Sequence, residues 1–102
     1  MQWIWTWDGK SFGYRDGDSL WTHYGRHVGQ FQGDEVYGAD GYYLGEVRNK
    51  NRLITHLSKK SRRQAPFMPH ASRAGFVPYV DYVGYVMYAG YEDFPNPEVF
   101  RQ

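Results

Sequence analysis

Gly9, Gly25 and Gly41 stand sixteen residues apart, and Gly13, Gly29 and Gly45 keep the same step. No other feature constrains the fold of this chain so tightly. Around these glycines, Ile4-Trp5-Thr6-Trp7 aligns with Leu20-Trp21-Thr22-His23 and with Val36-Tyr37-Gly38-Ala39. Phe12, Val28 and Leu44 share one position, and Asp18 matches Asp34 where the third copy has Lys50. A fourth, degenerate copy falls on Arg52-Leu53-Ile54-Thr55-His56-Leu57, without the glycines. Self-similarity at a fixed period marks a repeat architecture in which each unit is one supersecondary element.

Each unit reads as a β-hairpin. An apolar and aromatic strand meets Asp8-Gly9, Tyr24-Gly25 or Asp40-Gly41, where glycine supplies the positive φ of a tight turn. A second strand follows, and Gly17-Asp18 or Gly33-Asp34 leads into the next unit. Two turns per sixteen residues leave strands of about four to six residues, a normal length. Aromatic residues make up 20% of the chain, which favours strands over a helical bundle. One hairpin cannot bury its own face, whereas hairpins closed into a ring shield their edges. We therefore expect an all-β fold of four short hairpin repeats. Trp5, Trp21 and Tyr37 should hold matching places, with Phe12, Val28 and Leu44 forming a common inner layer.

The string WDGKSFGYRDGDSLWTHYGRHVGQFQGDEVYGADGYYLGEV resembles the bacterial 4-fold β-flower proteins, over roughly residues 3–57. The resemblance implies four hairpins around a pseudo-fourfold axis and supplies no catalytic residues. It also implies a triplet-patterned tail after the hairpins. Gly41-Tyr42-Tyr43-Leu44 is faintly similar to choline-binding surface repeats, whose longer units belong to secreted proteins.

From Phe76 the sequence changes period. Phe76, Tyr79, Tyr82, Tyr85, Tyr88 and Tyr91 stand every third residue, and Val77, Val80, Val83, Val86 and Ala89 follow them in step. A strand repeats every two residues and an α-helix every 3.6, so neither gathers such a set on one edge. Polyproline II, with three residues per turn, does. The spacing predicts an extended, two-faced apolar ridge docked on the hairpins or on a symmetry mate. The alternative is a pair of strands turning at Gly84 or Gly90. The expected organisation is a hairpin region over 1–57, a basic connector over 58–75 and an extended aromatic tail over 76–102.

Charge is unevenly spread. Between Val47 and Val80 lie eight of the twelve Lys and Arg and none of the eleven Asp and Glu, giving +8 there and −7 elsewhere. Arg48, Lys50, Arg52, Lys59, Lys60, Arg62 and Arg63 are the candidate nucleic-acid contacts, because clustered cations displace counterions from phosphates. The same tract could instead meet the acidic hairpins or remain solvated. Asp8, Asp16, Asp18, Asp34, Glu35 and Asp40 mostly flank turn glycines and read as turn formers. His23 and His27 have a zinc-like spacing but flank Gly25 on a hairpin, without further ligands. There is no cysteine, hydrolase elbow or phosphate loop. We expect no enzyme, cofactor or metal. The chain start carries no basic region before a long apolar run, so no signal peptide is expected and a cytoplasmic location is the default. The sequence favours a non-catalytic, homo-oligomeric assembly module. Nucleic-acid binding is the alternative, and a small ligand held in an aromatic pocket on the repeat axis is a third possibility.

Overall fold

The computed structural model describes residues 1–101. Eight strands follow in chain order: β1 (Gln2–Thr6), β2 (Ser11–Asp16), β3 (Ser19–Thr22), β4 (His27–Gln32), β5 (Glu35–Tyr37), β6 (Tyr43–Arg48), β7 (Arg52–His56) and β8 (Tyr91–Asp93). Each pairs antiparallel with the next. A parallel contact of Trp5 with Arg52 and Thr6 with Leu53 joins β1 to β7 and closes seven strands into a barrel-like sheet. The rest of that β7 edge, Ile54 to His56, is taken by β8. Between them β1 and β8 cover an edge that either alone would leave open to other chains.

The three glycine-marked hairpins carry the same irregularity. Register shifts fall between Ile4 and Trp5, between Leu20 and Trp21, and between Val36 and Tyr37. Trp5, Trp21 and Tyr37 thus occupy matching places, opposite Ser11, His27 and Tyr43. A bulge leaves one residue outside the ladder and re-aims its neighbours. The turn chemistry repeats too: the amide of Gly9 donates to Thr6 O and that of Gly25 to Thr22 O. The hydroxyls of Thr6 and Thr22 then accept from Lys10 and Arg26 N–H. In the next turn along, Gly17 and Gly33 have φ of 60° and 62°, and Asn49 adopts 51° in the third copy. Asparagine tolerates this left-handed region better than most residues.

Ile4, Phe12, Leu20, Phe31, Val36, Leu53 and Phe94 form the core. Phe12 is fully buried, but Val28 and Leu44 are only partly so and pack against the core from its margin. The expected common layer is therefore uneven. The reason lies beyond β8, where Phe94 and Phe100 set their rings edge-on to Phe12 at 5.3 and 6.1 Å.

Candidate functional site

Residues 64–88 form no helix or strand, and only Phe67 among them is even half-buried. Their backbone is nonetheless ordered by the hairpins. The amide of Gln64 donates to Gly41 O, that of Arg73 to Gly25 O and that of Tyr82 to Gly9 O, each at 2.8 Å. Phe67 donates to Ala39 O, Phe76 to His23 O and Tyr85 to Trp7 O, at 3.1, 2.7 and 3.1 Å. His70 N–H adds a bond to His27 Nδ1 at 2.9 Å. All seven donors lie in one register of three. Along each set the segment advances nine residues while the hairpins step back sixteen, so three triplets serve one repeat. Fully extended at about 3.1 Å per residue the run would reach ~65 Å. The molecule's longest dimension is 36 Å, so the segment curves around it as a belt. No strand pair forms between Gly84 and the turn at Gly90, and Tyr91 belongs to β8 rather than to the belt.

The triplet spacing answers to tryptophans spaced by two. Trp3, Trp5 and Trp7 lie along β1 and its turn, and Tyr79 stacks on Trp3 at 4.6 Å while Tyr82 stacks on Trp5 at 4.1 Å. Tyr85 and Tyr88 both tilt against Trp7. Such pairs are worth about 0.5–1.5 kcal/mol each beyond the area they bury. The indole N–H groups of Trp5 and Trp7 donate to the belt carbonyls of Val80 and Val86, each at 3.0 Å. On the second hairpin the same belt register places the Arg73 guanidinium over Trp21 at 3.9 Å. Arg52 clamps the belt from β7. It is 4% exposed, and its guanidinium donates to Trp7 O at 3.2 Å and Val83 O at 3.0 Å beneath the face of Tyr85. Two carbonyls and a ring face satisfy this buried cation.

The outer side of the belt is bare. Val77, Val80, Val83 and Val86 are 84–88% exposed, and the five belt rings from Phe76 to Tyr88 are about half exposed. Glycine makes the close approach possible, because a Cβ on Gly9, Gly25 or Gly41 would collide with the belt carbonyl of Tyr82, Arg73 or Gln64.

A family model described as 4-fold beta flower protein matches residues 1–84. This chain belongs to the 4-fold beta flower family. The match takes in the three glycine-marked flower hairpins, β7 and the belt as far as Gly84. Comparison with curated proteins and with solved structures finds no match. Among the described residues of this flower protein, no helix is long and apolar enough to cross a membrane.

The basic tract is largely neutralised by the flower itself. Lys59 Nζ lies 2.9 Å from both Glu35 and Glu46, and Arg62 reaches Glu35 at 3.0 Å. Lys60 pairs with Glu92 at 2.8 Å. Arg48 donates to the Tyr91 hydroxyl and approaches Glu46, while Arg63 covers the Tyr42 ring. Lys50 sits exposed at a turn with φ of 70°. The hydrogen bond from Lys59 holds the Glu35 carboxyl below its ordinary range despite partial burial. Burial opposes ionisation of Glu46, but bonds from Lys59 and Tyr43 outweigh it and its pKa is lowered. The same two carboxylates raise Lys59. Burial pushes the Tyr43 phenol up strongly while it donates to Glu46 at 2.8 Å.

His23 and His27 are both buried. His27 is fully committed: Nε2 lies 3.0 Å from Gly29 O, and Nδ1 accepts from His70 N–H. That pattern fixes the Nε2–H tautomer. Burial lowers the pKa of both imidazoles. Among the described residues no three His, Asp or Glu side chains converge as metal ligands would. Asp40 forms a turn, its carboxylate accepting from Tyr42 N–H at 3.0 Å, and Asp16 and Asp18 pair with Arg73 and Arg15. The sequence reading missed Gln64, Phe67, His70 and Arg73 as belt residues. Their signal was register alone, since each continues the count of three backwards from Phe76. It also missed Asp93, which anchors the turn after β1 by accepting from Trp7 and Asp8 N–H at 3.0 and 3.2 Å.

Proposed function

We propose that this chain is a non-catalytic assembly module that binds further copies of itself through the outer face of its belt. In this reading four hairpin units stand around a pseudo-fourfold axis, and the fourth is split, with β7 as its first strand and β8 as its second. The step of nine supports the fourth unit. Continued from Tyr82 it reaches Tyr91, which pairs with His56 beside Leu57, the fourth counterpart of Gly9, Gly25 and Gly41.

The row of bare valines carries the functional reading. Rings expose on the order of 150–250 Å² each when free. Half that for five rings leaves roughly 350–600 Å², before the four valines are added. The sum approaches the ~800 Å² per partner of a stable interface and exceeds the largest apolar patch of most monomers. A second copy presents the same stripe, and two such stripes are complementary about a twofold axis.

Nucleic-acid binding by Arg48, Lys50, Arg52, Lys59, Lys60, Arg62 and Arg63 has less support, since Arg52 is buried and most of the others have partners within the chain. A ligand on the repeat axis has less support still, because Phe12, Leu20, Val36 and Leu53 are fully buried in the core cluster. Light scattering on the purified chain tests the proposal. We expect a mass of at least two copies, reduced to one when Val77, Val80, Val83 and Val86 are all changed to Ser. A monomeric parent chain, or an unchanged mass in the variant, refutes assembly through the belt. Nucleic acid retained at ~150 mM salt favours the alternative.

A further inference from the structure

Two notches lie between neighbouring hairpins where the belt crosses them, and the repeat relates them residue by residue. The first is a cavity of about 320 Å³ lined by Lys10, Ser11, His23, Tyr24, Pro78, Tyr79, Asp81 and Glu98. The second is a cavity of about 470 Å³, within the size range of small-molecule sites. Sixteen residues on along the hairpins, Lys10, Ser11, His23 and Tyr24 become Arg26, His27, Ala39 and Asp40, all of which line the second notch. Nine residues back along the belt, Pro78, Tyr79 and Asp81 become Pro69, His70 and Ser72, which line it too.

The chemistry differs at two places. In the first notch the protein supplies its own anions. Asp81 Oδ1 accepts from Ser11 N–H at 2.8 Å, and Glu98 lies 3.6 Å from Lys10. In the second notch Ser72 stands where Asp81 does and Phe100, rather than Glu98, closes the wall. Arg26 makes no ion pair among the described residues, and its guanidinium donates only to the Ser72 hydroxyl at 3.3 Å. Val28, Leu44 and Phe100 are partly buried and form an apolar wall. Asp40, the one carboxylate of the lining, is already held by Tyr42 N–H.

We propose that the second notch binds a small monocarboxylate with an apolar body. The carboxylate takes the place that Asp81 fills in the first notch and is gripped by the Arg26 guanidinium, whose paired N–H groups match its two oxygens. The apolar body lies on Val28, Leu44 and Phe100. His27, with both ring nitrogens already hydrogen-bonded, stacks on His70 at 4.5 Å between ring centroids and backs the site. The site does not depend on self-association.

Benzoate is the probe, titrated into the full chain and followed by amide NMR shifts. We expect saturable shifts at Arg26, His27 and Ser72, no shifts at Lys10 and Ser11, and none from uncharged benzamide. Ser72→Asp should place the chain's own carboxylate in the second notch and weaken benzoate at least tenfold. Arg26→Gln, at a partly buried side chain, should do the same without disturbing the fold. Asp40→Asn should tighten binding by a few fold by removing a competing charge. Shifts that grow linearly without saturating would overturn the proposal. So would equal responses to benzamide, or undiminished binding in Arg26→Gln.

Discussion

The hairpins and the belt are held by different physics, although one repeat organises both. From Gln2 to His56 the backbone groups are spent on strand ladders around a core of fully buried apolar side chains. From Gln64 to Tyr85 the docking amides all lie in one register of three, and they bond to hairpin carbonyls or, for His70, to the His27 imidazole rather than within their own segment. The sheet carries its own backbone ladder, whereas the belt has no internal hydrogen bonds to sustain its shape. The sheet measures out the belt at nine residues per hairpin.

Perturbing the sheet should have the largest effect. Trp21 is buried beneath Arg73 and beside Tyr14, so Trp21→Ala should lose on the order of 3–5 kcal/mol. Chemical denaturation would read this as a lower midpoint, with belt and sheet signals lost together. A loss below ~1 kcal/mol would mean that this position is not core.

Gly9→Ala should separate the two regions. The backbone there has φ of 94°, and the new Cβ meets the Tyr82 carbonyl. The conformation alone costs about 1–2 kcal/mol. Beyond that, the tyrosine fluorescence and near-ultraviolet dichroism of the belt should change while the far-ultraviolet strand signal persists. A belt signal identical to the parent's would contradict docking at the turn glycines.

Acid should act next, through the sheet's margins. The pKa values of His23 and His27 are lowered from 6.5 and those of Glu35 and Glu46 from 4.5. In each case the unfolded chain binds more protons than the folded one, so stability rises with pH across these windows. It should decline as pH falls below about 6.5 and decline further below about 4.5. Glu35→Gln should flatten the lower limb, and a profile flat from pH 7 to 4 would remove these groups from the account.

The smallest effect on stability is expected at the outer valines. Changing Val77, Val80, Val83 and Val86 to Ser should leave the melting temperature of the single chain almost unmoved, since surface substitutions usually fall within about ±0.5 kcal/mol. A large drop would show that the valine row supports the fold rather than a partner.

The hairpins were legible because their turns demand glycine, and glycine at a fixed step survives in the sequence where strands vary. Asn49, in a left-handed turn of the third copy, hid one such position. The second half of the belt announced itself through tyrosine, but the first half did not. Backbone N–H groups make the docking bonds, so Gln64, Phe67, His70 and Arg73 can share a function without sharing a side chain. The basic tract misled by composition. Lys59 meets Glu35 and Glu46 from 24 and 13 residues away, and only the closed sheet brings them within 3 Å. Strand β8 was illegible for the same reason, since Tyr91–Asp93 is too short to show a pattern and pairs with a strand read long before it.

Residue-resolved amide hydrogen exchange tests the central claim most directly. If the belt docks through every third residue, the amides of Gln64, Phe67, His70, Arg73, Phe76, Tyr82 and Tyr85 should exchange slowly. Those of Val77, Val80, Val83 and Val86 should exchange at rates close to an unfolded chain. Protection on alternate residues, as in a strand pair, or uniformly fast exchange from 64 to 88, would contradict the account.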